Sequence, residues 1–383
     1  LVTIDMVTRE ALRIAHEKCQ FISTTDRQYD SSFAKTGAKI GASLRVRKPN
    51  QYLRTQGTRV MDVQEQDEQT STVTVATQDH VDMRFNSAEL ALSLDELSKR
   101  YIEPAVSSLV SAIEGDYLAY ATKKTYNVVG TAGTAITDLT APGLARARLN
   151  QMLAPKDRNR AIQMDSVTMA GLVKGVAAYF NPSGAISEQY REGLVARTSM
   201  ADYYENERVW TLTNSGDVTV TTAAAAAVTD GGTNITLASV AAGDTTAGMT
   251  FTVAGVYACH PETKQSLGYL QPYVVITGGA TTQTVSPATI LTGPRQNVCS
   301  AASAQLATTA YNGTAVAVTF FGAANTSYAQ SLMYHKEAFQ FVTADLPLMD
   351  DAHKCVRRSQ DGLSLRVWQA SDIRNDELLM RID

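Results

Sequence analysis

Between Thr211 and Gln330 the chain carries six charged side chains in 120 residues: Asp217, Asp230, Asp244, Glu262, Lys264 and Arg295. Of its 34 basic and 38 acidic residues, all the others lie in the remaining 263 positions, an ordinary globular density of about a quarter. A stretch this poor in charge has little to hold a solvated helix face. It must cover its surface with something else, here Thr, Ala and Gly, or bury surface against copies of itself. Sharp compositional edges, with normal sequence on both sides, read as a domain inserted into a host body.

The patterning of this stretch is β. Met249, Phe251 and Val253 alternate with Thr250, Thr252 and Ala254, and Val316, Val318 and Phe320 with Ala315, Ala317 and Thr319. Asn234–Leu237 and Tyr273–Ile276 read as further short strands. Gly231-Gly232, Gly243-Asp244, Gly278-Gly279 and Asn312-Gly313 supply the turns. Alternation broken by glycine-rich turns predicts a small barrel or sandwich.

The flanks differ. Ile4, Val7, Ala11, Ile14 and Ala15 recur at helical spacing and predict an amphipathic helix to about Cys19. Gly41 to about Phe85 reads as a long hairpin, with Leu44–Arg47 in one arm and Val73–Val75 in the other. Its charge is divided. Arg45, Arg47, Lys48, Arg54 and Arg59 are five cations with no acid between Leu44 and Val60, whereas Met61 to Glu96 holds nine acids, among them Asp62, Glu65, Asp67 and Glu68, and one base, Arg84.

Leu94–Tyr101 is expected as a short helical stretch interrupted near Pro104. A longer helix follows from about Ala105 to Tyr126, with Val106, Leu109, Val110, Ile113, Tyr117 and Tyr120 on its apolar face. Shorter helices are expected at Gly143–Met152 and Val167–Phe180, and another at His335–Phe341. Leu363–Val367 and Leu378–Ile382 read as strands around a polar turn.

Catalytic signatures are missing. There is no G-x-S-x-G elbow, no phosphate loop and no H-E-x-x-H, since Lys18 and Cys19 follow His16-Glu17. The five histidines are scattered, and Cys19, Cys259, Cys299 and Cys355 lack metal-ligand spacing, so neither metal nor cofactor is expected. A net charge of −4 argues against a basic nucleic-acid reader, and no apolar run is long enough to span a bilayer. The basic hairpin arm has one aromatic, Tyr52, and so lacks the interleaved rings of a single-strand binder. It reads as a solvated strand, a phosphate-attracting surface or a docking arm. The last is favoured, because a two-stranded projection of this length is ordered only by packing on something else. Arg45, Arg47, Lys48, Arg54, Arg59, Asp62, Glu65, Asp67 and Glu68 are therefore the candidate intersubunit contacts.

The order of these parts resembles the major capsid protein of tailed bacteriophages, and the charge-poor insert resembles the short-tailed-phage subgroup that carries an extra β-barrel. Met6–Arg13 is similar to that subgroup's N-terminal arm, and Phe33–Gly41 with Leu44–Pro49 to the lead-in of its hairpin. Gly248–Val256 resembles a strand of the inserted domain, and His335–Phe339 and Arg381–Asp383 its C-terminal part. The resemblance implies an α+β capsid fold with an inserted all-β barrel-like domain. Its implied parts are an N-terminal arm (1–42), an extended hairpin or E-loop (43–86) and a peripheral domain with spine helix (87–135). An axial domain follows in two pieces (136–215 and 329–360), split by the insert (216–328), and C-terminal strands (361–383) return to the peripheral domain.

It further implies a structural subunit, not an enzyme, that self-assembles into hexamers and pentamers of an icosahedral shell in the host cytoplasm. The implied partners are other copies, a scaffolding protein, a portal and, non-specifically, packaged double-stranded DNA, with no membrane. The competing readings are a secreted β-rich adhesin or fibre protein, a cargo-enclosing bacterial shell, and an α+β enzyme. The absence of a basic, then apolar, leader at Leu1–Asp5 and the helical flanks weigh against the first, and no cluster of titratable residues supports the last.

Overall fold

The computed structural model describes residues 4–27, 43–57, 61, 63–65, 68–74, 77–86, 98–176, 201–214, 220–221, 228–238, 240, 243–279, 281–304, 306, 316–343, 346–348, 354–360, 363–372 and 377–383. The chain divides into two compact units. One comprises Leu1–Lys48, Glu68–Tyr117 and Lys336–Asp383, the other Pro49–Asp67 and Leu118–His335.

The first unit is built on a four-stranded antiparallel sheet, in the order Lys354–Gln360, Leu363–Asp372, Glu377–Ile382 and Val81–Asn86. The helix Ile4–Lys18 packs across it, burying Ile4, Val7, Ala11, Ile14 and Ala15 as its spacing predicts. These join Val106, Leu109, Val110, Val367, Met380 and Ile382 in one core. Glu114, fully buried, accepts hydrogen bonds from the backbone N–H groups of Gln20 and Phe21 and thereby caps the short helix Phe21–Thr24.

Three expectations need correction here. Val81–Asn86 is not part of the hairpin: its partner is Glu377–Ile382, with Phe85 opposite Leu378. The hairpin ladder itself pairs Ser43–Arg47 with Thr70–Thr74, setting Leu44 opposite Val73. Pro104 interrupts nothing. A π-turn at Ser98–Ile102 leads directly into the helix Glu103–Lys124, whose first turn tolerates proline because its N–H would be unpaired there anyway. Glu103 at its start and Lys123 and Lys124 at its end suit the helix dipole. Tyr120 is 59% exposed, and beyond Tyr117 the buried positions of this helix are Leu118, Ala121 and Thr122.

In the second unit, Arg160–Met164 lies between Leu332–His335, antiparallel, and Asp202–Glu205, parallel. The helix Ser166–Val176 covers this small sheet with Met169, Leu172 and Val176. Gly175 lets that helix approach the Thr137 carbonyl so closely that any Cβ would collide with it. Residues 335–341, expected as a helix, contain the end of the strand Leu332–His335, a single 3₁₀ turn at Lys336–Ala338 and a two-residue strand, Gln340–Phe341. The expected helix over 167–180 is described only as far as Val176.

The charge-poor segment forms a seven-stranded antiparallel sheet. Its path runs Val220–Thr221, Ala317–Phe320, Thr250–Cys259, Ser266–Thr277, Thr282–Thr289 and Gly232–Thr236, and Val298–Cys299 also pairs with Thr250–Cys259. Phe251, Val253, Tyr273, Val275, Val318 and Phe320 fill one core. The alternating residues read from the sequence are the ones that point inward.

Candidate assembly interface

The hairpin's candidate residues can be placed individually. Arg45 and Arg47, two apart in one strand, share a face by the period of the β-pleat, and both are exposed, as are Lys48, Arg54, Glu65 and Glu68. Arg59, Asp62 and Asp67 lie outside the described residues. Arg47 Nη1 stands 3.6 Å from Glu68 Oε2, with both side chains mostly in solvent, so this pair adds little to stability. Arg54 Nη2 donates to Gln56 Oε1 at 3.3 Å. Among the described residues, Arg45, Lys48, Arg54 and Glu65 have no ion-pair partner.

Past the paired strands a side-chain amide does the work of a ladder rung. Leu53 N–H donates to Gln64 Oε1 at 2.8 Å, and Gln64 Nε2 donates to the Leu53 carbonyl at 2.6 Å. Around this clamp sit Tyr52 (57% exposed), Leu53 (37%), Met61 (84%) and Val63 (77%). Contiguous exposed apolar patches are a general mark of interaction sites. Of these the sequence singles out Tyr52 as the arm's one aromatic, whereas Leu53, Met61 and Val63 fall in a polar run without a repeating pattern.

A second feature lies in the larger unit. Trp210 is held between the helix Glu103–Lys124 and the charge-poor sheet, with Lys123 Nζ 5.1 Å from its ring centroid and Gly248 against its far edge. The Arg148 guanidinium stacks on Tyr269 at 3.0 Å from the ring centroid. Nearby, a cavity of about 230 Å³ is lined by Gln51, Tyr126, Lys264, Gln271, Arg295 and Asn297, and by Cys259 among others. Burial and the neighbouring Cys299 push the Cys259 thiol up to about 12, so it stays protonated and unreactive at neutral pH. All four cysteines are free. Among the described residues no group of His, Cys, Asp and Glu is placed to hold a metal ion, and no helix is long and apolar enough to cross a membrane.

The family comparison gives the class to which the protein belongs. A family model described as "P22 coat protein - gene protein 5" matches residues 67–383, most of the chain. The protein is a coat protein, a structural component of a bacteriophage capsid that associates with copies of itself to form the shell. It belongs to the P22 coat protein family.

No curated protein matches the sequence. Among solved structures, a chain titled for Mycobacterium phage Che8 is similar at 11% identity and TM-score 0.37, over 49% of this chain and 69% of that one. The capsid of cyanophage P-SCSP1u is similar at 12% identity and TM-score 0.34, over 51% of this chain and 64% of that one. A virus-like particle from Pyrococcus furiosus is similar at 10% identity and TM-score 0.25, over 73% of this chain and 92% of that one. At such TM-scores the likenesses do not themselves define the fold.

Proposed function

We propose that this coat protein assembles as hexamers and pentamers of an icosahedral shell around double-stranded DNA, and that residues 43–74 form a docking arm laid on a neighbouring copy. The observation that carries the docking role is the hairpin tip, where Tyr52, Leu53, Met61 and Val63 are exposed near Arg54, which has no ion-pair partner among the described residues. Burying such side chains on a neighbour contributes about 1.5–3 kcal/mol each at full burial. Contacts of that size are weak singly and strong when repeated around a closed shell, so errors in assembly can reverse.

The domain division read from the sequence extends this proposal. Charge depletion from Thr211 to Gln330 and a sheet with its own core support an inserted β domain over 216–328. The short-tailed-phage subgroup follows from that insert. A scaffolding protein and a portal are proposed as partners, with assembly in the host cytoplasm, on the strength of the family. The mildly acidic balance, −4 overall, suits a shell that must hold DNA without clamping it.

Charge reversal tests the arm. The double variant R54E/R59E is expected to keep the circular-dichroism spectrum and melting temperature of the parent while its shell yield in sedimentation falls. Normal particles from this variant would remove the charged hairpin from the assembly account.

A further inference from the structure

We infer that the cavity lined by Lys264 and Arg295 receives a carboxylate side chain from the hairpin of a second copy of this chain. The inference rests on the self-assembly reading above and names a site for one of its contacts.

Lys264 and Arg295 are the two basic residues of the whole stretch from Thr211 to Gln330. They are far apart in sequence, on different connections of the sheet, yet both line the same cavity of about 230 Å³. Among the described residues, the rest of its polar lining is neutral, with the amides of Gln51, Gln271, Gln296 and Asn297. A segment that carries almost no charge has brought both its basic residues to one concave place. That composition suits an anion small enough for the space.

The backbone at Lys264 supports a role for its side chain. Its φ is +57°, in the left-handed region that a residue with a Cβ adopts less readily than glycine. The strained turn directs the ammonium inward, where Nζ donates to the Pro294 carbonyl at 2.6 Å and to the Gln296 carbonyl at 3.3 Å. An ammonium has three N–H groups, so one remains for an incoming acceptor. Among the described residues no carboxylate pairs with it. Burial lowers the Lys264 pKa. A carboxylate entering the cavity would oppose that shift by favouring the charged form.

The donor is argued from charge. Between Met61 and Thr74 the hairpin's return arm carries four acids, Asp62, Glu65, Asp67 and Glu68, and no Lys or Arg, and Glu65 and Glu68 are exposed. In a shell of repeated subunits this acidic arm is the anionic partner in constant supply. Electrostatic complementarity of this kind fixes register more than it adds affinity.

The test joins the two groups covalently. Shells are assembled from equal amounts of unlabelled and ¹⁵N-labelled protein, treated with a zero-length carbodiimide, digested and analysed by mass spectrometry. Lys264 should be joined to a peptide carrying hairpin acids, with mixed isotope labels, and the product should be absent from unassembled protein and from K264Q shells. An unlinked Lys264 in intact shells, or links in which both peptides always share one label, would overturn the inference. If the unmodified protein forms no shells at all, the assembly reading falls and this contact with it. As a second measurement, K264Q/R295Q should raise the protein concentration needed for assembly about tenfold. An unchanged threshold in a folded variant contradicts the role.

Discussion

Arg366 and Asp383 form a buried, doubly hydrogen-bonded ion pair, with Nη2 at 2.7 Å and Nε at 3.0 Å from one carboxylate oxygen. The two residues also exchange both backbone hydrogen bonds, at 3.1 and 2.9 Å. Their side chains are 4% and 0% exposed. Arg381 adds a third donor at 2.7 Å to the other oxygen. This pair ties the last strand of the four-stranded sheet to its neighbour, next to the core that includes the N-terminal helix.

Removing one partner leaves the other charged, buried and unpaired. Asp383→Ala is expected to lower the unfolding free energy by about 3 kcal/mol. Asp383→Glu, too long for the same geometry, should lose less. Urea titration followed by circular dichroism measures both, and an Asp383→Ala loss below that of an ordinary surface substitution would contradict the assignment.

The same carboxylate sets a pH dependence. Burial pushes the Asp383 pKa up, but the hydrogen bonds from Arg366 and Arg381 and their positive charge outweigh it, and the folded-state value lies below the ordinary one. Its stabilisation is fully present above the unfolded-state pKa of about 4 and is lost as pH falls through the lower folded value. Stability measured between pH 5 and pH 2 should therefore fall less steeply in Asp383→Ala than in the parent. Parallel curves would rule out the contribution.

Gly248 sits at φ +97°, and a Cβ there would lie 2.5 Å from Trp210 Cη2 and 3.1 Å from Lys123 Cγ. Gly248→Ala combines backbone strain with overpacking and should cost about 2 kcal/mol. Trp210 fluorescence reports the same event, since the ring must leave Lys123 to make room. A variant with parental stability and an unshifted emission maximum would show that the packing around Trp210 is looser than described.

What could be read in advance depended on whether burial leaves a periodic trace. Alternation exposed the strand holding Phe251 and Val253, because one face is core and the other is threonine and alanine. The hairpin arms were legible from Leu44 and Val73, which stand directly opposite. Arg160–Met164 was missed because all five residues are buried, so no alternation survives, and because Arg160 and Gln163 look like surface residues. Their partners, the carbonyls of Ala154 and Pro155 for Arg160 and the Tyr334 hydroxyl for Gln163, are visible only in three dimensions. His335–Phe341 has helix-forming residues, but the pairing of His335 with Arg160 and of Phe341 with Arg27 limits it to one turn. At the hairpin the charges and Tyr52 were legible and the rest of the apolar tip was not, because Leu53, Met61 and Val63 in a polar run form no repeating pattern.

The amide clamp at the tip gives a prediction separate from charge. Gln64→Leu removes both hydrogen bonds to Leu53 without removing any charge. The expected result is a folded subunit with the parental melting temperature and slower shell formation by light scattering, since the arm must be ordered on docking. Unaltered assembly kinetics would show that the clamp is not needed.

The most direct measurement is a cryo-electron-microscopy map of the assembled particle at side-chain resolution. The account predicts a closed shell in which Tyr52, Met61 and Val63 of each copy are buried against a neighbouring copy. A shell in which residues 49–67 face solvent, with no neighbouring chain over them, would contradict it.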